Sequence, residues 1–248
     1  MNTLEKGIFP FGLGRLNDES VSKRADGVVR QLEMAIDVGL LIEGQRLPSE
    51  AELAGELGVS TVTLRQALTI LRDKGLVVTR RGRAGGSYVQ DSSSIGAERA
   101  EAQLRAASTE ELRDLGDFAG SVNGAAARLA AGRALPEEVH RLDELARHFA
   151  DAPSADARRR ADSRFHIELG VVAQSPRLTA LIVQAQGRVV PLLWVPGSLP
   201  SDEAVRDHAR IVECIRDGDA EGAQRHAVEH CEREARVLIG RHLALATA

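Results

Sequence analysis

Hydrophobic residues recur every three or four positions over most of the chain, which predicts a mainly α-helical protein. In residues 47–74 this pattern forms two short helices, about Ser49–Leu57 and Thr61–Lys74, whose apolar positions share one core. Gly58 suits the left-handed backbone of the tight turn between them. Ser60 is a natural N-cap for the second helix. This spacing is typical of a helix-turn-helix.

The next segment, Gly75–Gln90, predicts a two-stranded hairpin with a basic, glycine-rich tip, as in the wing of a winged helix. Between Arg65 and Arg83 there are six basic residues and one acidic residue, Asp73. Such local positive charge can neutralise DNA phosphates, although a solvated amphipathic helix and a charged turn would have similar composition. The exposed amino end of the second helix would meet base edges in the major groove. The residues expected there are Ser60, Thr61, Thr63 and Arg65.

The distribution of helix breakers predicts the domain organisation. We expect a flexible tail over residues 1–17, a winged helix-turn-helix over 18–90, a polar linker over 91–95 and an all-α domain over 96–248. The last domain should contain about six or seven helices. Its expected breaks lie near Ser108, Gly132–Pro136, Ala150–Ser154, Ser175–Pro176, Pro196–Ser201 and Asp217–Asp219.

Composition narrows the function classes. The content of 43% hydrophobic and 27% charged residues is ordinary for a globular protein. No apolar run is long enough for a membrane span, so we expect a cytoplasmic protein without a membrane partner. Residues 1–90 carry 12 Lys/Arg against 11 Asp/Glu, and residues 91–248 carry 20 against 25. DNA binding must therefore depend on a small local basic face.

The amino-terminal half resembles the GntR family of bacterial transcription factors, and the helical half resembles the FCD effector-binding domain of its FadR-like subgroup. The GntR resemblance rests on LPSE (Leu47–Glu50), LAxELGVS (Leu53–Ser60), TLRQAL (Thr63–Leu68), LxxKGLV (Leu71–Val77) and GGSYV (Gly85–Val89). The FCD resemblance rests on LAAGR (Leu129–Arg133), DSRFH (Asp162–His166), DHARIVECIRDGD (Asp207–Asp219) and His230. The resemblance adds the wing residues Arg81, Gly82 and Arg83 to the expected DNA contacts, on a palindromic operator bound by a homodimer. Relatives often carry arginine where this chain has Ala51 and Thr61, so base contacts should depend more on Ser60, Thr63, Arg65 and the wing.

The resemblance also implies a metal site. Asp162 and His166 are four residues apart and project from one face of a helix, a pair that is usually a surface contact. The family pattern adds His208 and His230 from two later helices. Three histidines and one aspartate suit zinc, or another divalent ion such as nickel or manganese.

In relatives the metal lies at the floor of a pocket that holds a small carboxylate effector. An arginine and a glutamate in the helix before LAA often help to bind it. The corresponding positions here are Ala119 and Asn123. We therefore expect Asn123 to face the effector. Either Arg188 or Arg164 replaces the missing guanidinium from another helix, or the effector is not a simple organic acid.

Three functions remain open at this point. The first is a DNA-binding transcriptional regulator controlled by a small metabolite. The sequence has no HExxH or GxSxG motif, which argues against an enzyme. The second is a metal-dependent hydrolase or lyase with an appended DNA-binding module, since a metal with open positions can activate water. The third is a helical dimerisation module whose histidines only pack.

Overall fold

A computed structural model describes residues 21–82, 85–90, 93–193 and 202–247. The predicted tail over residues 1–17 and the wing residue Arg83 lie outside this set. The described residues confirm a mainly α-helical fold with one hairpin, and none of their helices is long and apolar enough to cross a membrane. The elements are α1 (Val21–Asp37), α2 (Glu50–Leu57), α3 (Thr61–Asp73), β1 (Val77–Arg80), β2 (Gly86–Val89), α4 (Ser93–Ala106), α5 (Thr109–Arg133), α6 (Pro136–Ala150), α7 (Ala155–Val172), α8 (Pro176–Leu192), α9 (Asp202–Asp217) and α10 (Ala220–Ala246).

The chain divides into two compact units, Met1–Ser94 and Ile95–Ala248. Helix α4 begins at Ser93, so part of the predicted linker, residues 93–95, is helical. The reason is the Ala- and Glu-rich sequence that follows the serines, which favours a helix from its first turn. The polar composition of residues 91–95 therefore overestimates the length of the linker.

In the first unit, α1, α2, α3 and the hairpin enclose one apolar core. A reciprocal cap starts α2, because the Ser49 hydroxyl accepts from the Glu52 N–H at 3.3 Å and the Glu52 carboxylate accepts from the Ser49 N–H at 3.0 Å. The helix ends at Gly58, whose φ of 67° lies in the left-handed region. The predicted turn glycine is thus in the conformation that the turn requires.

Helix α3 begins at a second serine cap, where the Ser60 hydroxyl accepts from the Thr63 N–H at 3.1 Å. The hairpin is antiparallel, with Val77 opposite Val89 and Arg80 opposite Gly86. The segment before α2 extends this small sheet, because the Leu47 N–H donates to the Ser87 carbonyl at 2.9 Å. Helix α3 is joined to the hairpin by the Arg72 guanidinium, which donates to the Thr79 hydroxyl at 3.1 Å.

The second unit contains seven helices among the described residues, within the predicted range of six or seven. Its two longest helices, α5 and α10, pack very closely. A Cβ added at Gly116 would lie 2.4 Å from the Ala235 Cβ, and one added at Gly124 would lie 2.7 Å from a Val228 methyl. Glycines on α5 therefore allow α10 to approach, which brings the polar residues of α10 towards those of α5 and α7.

Candidate metal centre and DNA-binding surface

Four buried polar side chains converge inside the helical unit. Helix α7 supplies Asp162 and His166, α9 supplies His208 and α10 supplies His230. Each offers one ligand atom, and these atoms all lie within 4.8 Å of one another. All four side chains are at most 1% exposed. The structure thus brings together the whole set that the sequence predicted.

The distances between these atoms suit a shared ion. The Nε2 atoms of His166 and His230 are 3.2 Å apart, and His208 Nε2 lies 3.4 Å from Asp162 Oδ1. His166 Nε2 lies 3.9 Å from the same carboxylate oxygen. Donors bonded to one ion at 2.0–2.1 Å are themselves about 3–4 Å apart. The cluster therefore has the size of a first coordination shell.

Several of these buried polar atoms have no hydrogen-bond partner in the described residues. They are both carboxylate oxygens of Asp162, both ring nitrogens of His208 and Nδ1 of His230. Leaving a buried polar group unsatisfied costs about 1–3 kcal/mol. A cation at the centre of the cluster would satisfy the donor atoms that face it. The residues present therefore fit a divalent metal ion.

Asn123 on α5 orients His166. The Asn123 side-chain amide donates to the Ala119 carbonyl at 2.9 Å, which directs its oxygen towards His166 Nδ1, also at 2.9 Å. His166 Nδ1 must then carry the proton, so Nε2 presents its lone pair to the cluster. Asn123 is fully buried and both ends of its amide are engaged. It holds a histidine in place, and the expectation that it contacts the effector is wrong in this arrangement.

The other two histidines are held by different means. His208 stacks on Phe165 with ring centroids 4.0 Å apart and packs against Phe149 at 4.7 Å. His230 Nδ1 lies 3.6 Å from an oxygen of Asp207. Arg233 donates to both oxygens of Asp207, at 3.0 and 3.2 Å, and so fixes the carboxylate.

The electrostatics also favour a metal. Burial, with His230 nearby, lowers the pKa of His166 and His208 well below its usual range, so both are neutral ligands near pH 7. Burial and the Glu234 carboxylate raise the pKa of Asp162. Burial opposes ionisation of His230, but Glu234, Asp207 and Asp162 together raise its pKa. A bound cation would stabilise the ionised Asp162 that burial otherwise disfavours.

Glu234 is a buried acid near this centre that sequence analysis did not identify. It lies one turn after His230 on α10, and its Oε1 is 3.9 Å from His230 Nε2. Its side chain is only 5% exposed, and Oε1 has no hydrogen-bond partner in the described residues. Burial raises the pKa of this carboxyl. The spacing of four between His230 and Glu234 was the available signal, because it repeats the spacing of Asp162 and His166.

The arginines expected at the effector site are elsewhere. Both Arg188 and Arg164 are exposed, and Arg188 is close enough to Glu111 to contribute to its lowered pKa. The reason is helix geometry, since the buried face of α8 carries Gln186, Val189 and Val190 while residue 188 faces outward. Neither arginine replaces the guanidinium that Ala119 lacks. That expectation is therefore wrong in this arrangement.

The candidate DNA-binding surface lies on α3. Its exposed side includes Thr61, Val62, Arg65 and Gln66, with Val62 57% exposed. The Arg65 side chain is 66% exposed and its Nε donates to Glu50 at 2.6 Å. Sequence analysis missed Val62 and Gln66, although their positions beside Thr61 and Arg65 on one helix face could have identified them. Gln can pair with adenine and Val can contact a thymine methyl, so this surface can read bases.

Thr63 is buried, so the expectation that it contacts DNA is wrong. It is 1% exposed, and its hydroxyl lies 2.9 Å from the Ser60 hydroxyl while its N–H donates to the same oxygen. It therefore supports the start of α3, and a base cannot reach it without disrupting the cap. Ser60 also serves the cap but remains exposed.

The hairpin adds positive charge beside α3 within the same unit. Arg80 and Arg81 are exposed, and the Arg80 guanidinium lies 4.5 Å from the centre of the Tyr88 ring. Gly82 is exposed with a φ of 107°, a conformation that favours glycine at the turn. Arg46 is a further exposed cation that sequence analysis missed, and its backbone bridges to Tyr88. Arg46 is far from the hairpin in sequence, so the sequence alone did not indicate that it lies beside Tyr88.

Comparisons with known proteins identify both the DNA-binding unit and the helical unit as known domain types. Residues 24–88 match the description "Bacterial regulatory proteins, gntR family", and residues 114–233 match the FCD domain. The chain is 39% identical over 230 residues to the putative HTH-type transcriptional regulator RmpR of Mycobacterium gastri, covering 91% of this chain and 84% of that protein. It is 26% identical over 223 residues to the putative L-lactate dehydrogenase operon regulatory protein of Escherichia coli strain K12, covering 83% of each.

Solved structures support the fold. The E. coli protein McbR/YncC matches with a TM-score of 0.53 and 19% identity, over 91% of this chain and all of that one. At this identity the likeness concerns the fold alone.

Proposed function

We propose that a small metabolite, held at the buried metal centre, controls operator binding by this protein. The chain belongs to the FadR-like subgroup of the gntR family of bacterial regulatory proteins. The chain is a transcriptional regulator with a gntR-type DNA-binding domain and an FCD domain, and it is not an enzyme. The convergence of Asp162, His166, His208 and His230 carries the proposal, because it supplies a ligand site within a regulator.

For DNA reading, we propose that the amino end of α3 enters the major groove and that the hairpin contacts the adjacent backbone. Arg65 is the principal base-reading residue, with Thr61, Ser60 and the newly identified Gln66 beside it. Arg81 and Gly82 act from the wing, as Arg83 does by sequence. The exposed, hydrogen-bonding face of α3 and the nearby cations support these roles.

A homodimer on a palindromic operator follows from the size of this reading surface. A single α3 touches too few bases for specific recognition in a genome, and two copies related by a dyad double the contacts. Closed two-fold symmetry is also the commonest arrangement of identical chains. We therefore propose two half-sites related by an inverted repeat.

For the metal, we propose zinc, with nickel or manganese as the other divalent ions that this shell could accept. Three histidine nitrogens and one carboxylate oxygen form a mixed shell that these ions tolerate. Zinc can expand beyond four ligands, and octahedral ions would leave two positions unfilled. Such positions would accept an oxygen of a metabolite directly.

For the effector, we propose a small carboxylate whose oxygen binds the metal. The E. coli relative is named for the operon of an L-lactate dehydrogenase, whose substrate is a hydroxy carboxylate. With no arginine of α5 or α8 at the centre, the metal itself is the main source of attraction for an anion. Binding there would bias the helical domain between two packings and so alter DNA affinity.

The first experiment selects duplexes from a random DNA pool with the wild-type protein. We expect an inverted repeat whose half-sites are spaced by about one helical turn. The same selection with Arg65→Ala should recover a less specific motif that has lost its preference at the base pair read by Arg65. Enrichment of an asymmetric single site by the wild type would contradict the proposed dimeric reading.

The second experiment measures thermal unfolding of metal-loaded protein with a panel of small carboxylates, sugar acids and neutral metabolites. A ligand at a hundred times its dissociation constant stabilises the folded state by about 2.7 kcal/mol, a shift of several degrees. We expect stabilisation by a carboxylate that disappears after the metal is removed. A response only to neutral compounds would refute the proposed effector class.

A further inference from the structure

The buried acid Glu234 lies beside His230, one of the four residues of the candidate metal centre. We propose that Glu234 is a fifth protein ligand, which occupies an open coordination position when no effector is bound. This inference rests on the proposed metal site. It adds that the effector carboxylate must take the place of a carboxylate that the protein itself provides.

The position of Glu234 fits a ligand at the edge of the shell. Its Oε1 is 3.9 Å from Nε2 of His230, within the separation of two donors on one ion. Oε1 lies outside the group of four whose ligand atoms are all within 4.8 Å. It therefore approaches the centre from one side, and rotation about its side-chain torsions can close the remaining distance.

Glu234 also lacks the compensation that buried acids usually have. Asp207, the other buried acid beside His230, receives two hydrogen bonds from Arg233. Glu234 Oε1 receives none from the described residues, although the side chain is 5% exposed. Its ion-pair partner in the described residues is His230, itself a ligand of the proposed ion, so a bound metal would give this carboxylate a further cationic partner.

The walls on the other side of Glu234 are apolar. A narrow cavity between α5, α8 and α10 is lined by Glu234 together with Ala119, Leu115, Val189 and Leu238. Among the described residues that line this cavity, Glu234 is the only charged one, so no Lys or Arg side chain pairs with it there. The carboxylate therefore has no partner on the side away from His230.

Charge then determines how the effector would compete. While Asp162 and Glu234 are both bound, their two negative charges balance a divalent ion, so the metal attracts an effector anion strongly only at the position that Glu234 vacates. An arginine at position 119 would have the opposite effect, but Ala119 carries no charge. A carboxylate effector would bind by displacing Glu234 from the metal, which removes one of the two ligands on α10 and leaves His230 in place. This exchange couples ligand binding to a specific helix.

The test compares Glu234→Gln, which keeps the shape and removes the charge, with Glu232→Gln on the exposed side of the same helix. Each full-length protein is loaded with Co²⁺, and its visible spectrum and its affinity in competition with a chelator are measured. Acetate is then titrated as the probe carboxylate. His166→Ala serves as the variant that should lose the site, and circular dichroism verifies that each protein is folded.

We expect Glu234→Gln to change the Co²⁺ spectrum, to weaken metal binding by about tenfold or more, and to bind acetate severalfold more tightly. Glu232→Gln should match the wild type in all three measurements. An unchanged spectrum and affinity in Glu234→Gln, with His166→Ala still losing the metal, would overturn only the role of Glu234. Absence of metal binding by the wild type would overturn the proposed metal site as well.

Discussion

The candidate DNA-binding surface on α3 and the candidate metal centre both consist of polar side chains, but in opposite environments. On α3, Arg65 is 66% exposed and its Glu50 partner is 41% exposed. In the helical unit, Asp162, His166, His208 and His230 are at most 1% exposed, and several of their polar atoms have no hydrogen-bond partner among the described residues. The first arrangement is stable in water without its ligand. The second would be stabilised by a bound cation, which would compensate its buried polar atoms.

This difference follows from solvation. An exposed guanidinium keeps most of its hydration, so a surface ion pair such as Arg65–Glu50 contributes about 0–1 kcal/mol and is easily exchanged for a DNA contact. A buried carboxylate has lost its hydration and must be compensated by a cation or hydrogen bonds. The exposed surface is therefore suited to transient binding, and the buried cluster to a resident ion. Four predictions test this contrast.

The largest effect is expected at the metal centre. His166→Ala removes a central ligand, and Asp162→Asn removes the anionic one without changing its shape. Each variant should lose its metal on dialysis, from one ion per chain to none, because the loss of one of the four ligands weakens metal binding. Elemental analysis of purified protein measures this directly. Full metal content in both variants would show that these residues only pack.

A smaller effect is expected on the exposed surface. Arg65→Ala should weaken binding to the selected operator by about ten- to a hundredfold, because a base-reading arginine typically provides discrimination of this order. Fluorescence anisotropy with labelled operator measures the affinity. Thermal stability should hardly change, since the Glu50 pair is exposed.

Glu50→Gln is the matched control for Arg65. It removes the intramolecular partner and leaves the guanidinium available, so operator affinity should stay the same or increase. Weaker binding in Glu50→Gln than in Arg65→Ala would contradict the role assigned to Arg65.

The metal affinity of the candidate centre should also depend on pH. His166 and His208 have a lowered pKa and stay neutral, while His230 has a raised pKa and stays protonated to higher pH. A metal requires neutral imidazole, so its affinity should increase as pH rises through the titration of His230 and fall on acidification, by at most about tenfold per unit for one proton. Chelator competition over roughly pH 5.5–8 measures this dependence. Constant affinity across that range would contradict a ligand role for His230.

The smallest effect concerns Arg46. We expect Arg46→Ala to weaken binding severalfold on specific and random DNA alike, and to reduce the salt dependence by about one phosphate contact. Binding isotherms at several salt concentrations distinguish this from the sequence-specific loss in Arg65→Ala. A loss confined to the specific operator would show that Arg46 reads bases.

The two regions also differ in how far the sequence predicted them. The helix-turn-helix was predicted closely, because Gly58 and Ser60 act on their own neighbours and the turn depends on local backbone preferences. Thr63 was assigned to the wrong side because its role depends on a hydroxyl contact with Ser60. Arg46 was missed because its proximity to the hairpin depends on a tertiary backbone pairing.

In the helical unit, the four metal-site residues were predicted from family motifs, and their spacing alone was too weak a signal. Arg188 and Arg164 could not be excluded without knowing which faces of α8 and α7 are buried. Glu234 was missed because its burial depends on the close approach of α10 to α5, which Gly116 and Gly124 permit. The burial of these side chains therefore depends on helix packing, which the local sequence pattern does not specify.

The most direct test of the account measures operator affinity of the metal-loaded protein with and without the carboxylate identified by thermal unfolding. We expect the carboxylate to change the affinity by about 5- to 150-fold in the wild type, the usual size of allosteric coupling. The change should vanish in Asp162→Asn, which keeps the DNA-reading surface intact. A carboxylate that binds the metal centre and leaves operator affinity unchanged would contradict the central claim that this site controls DNA binding.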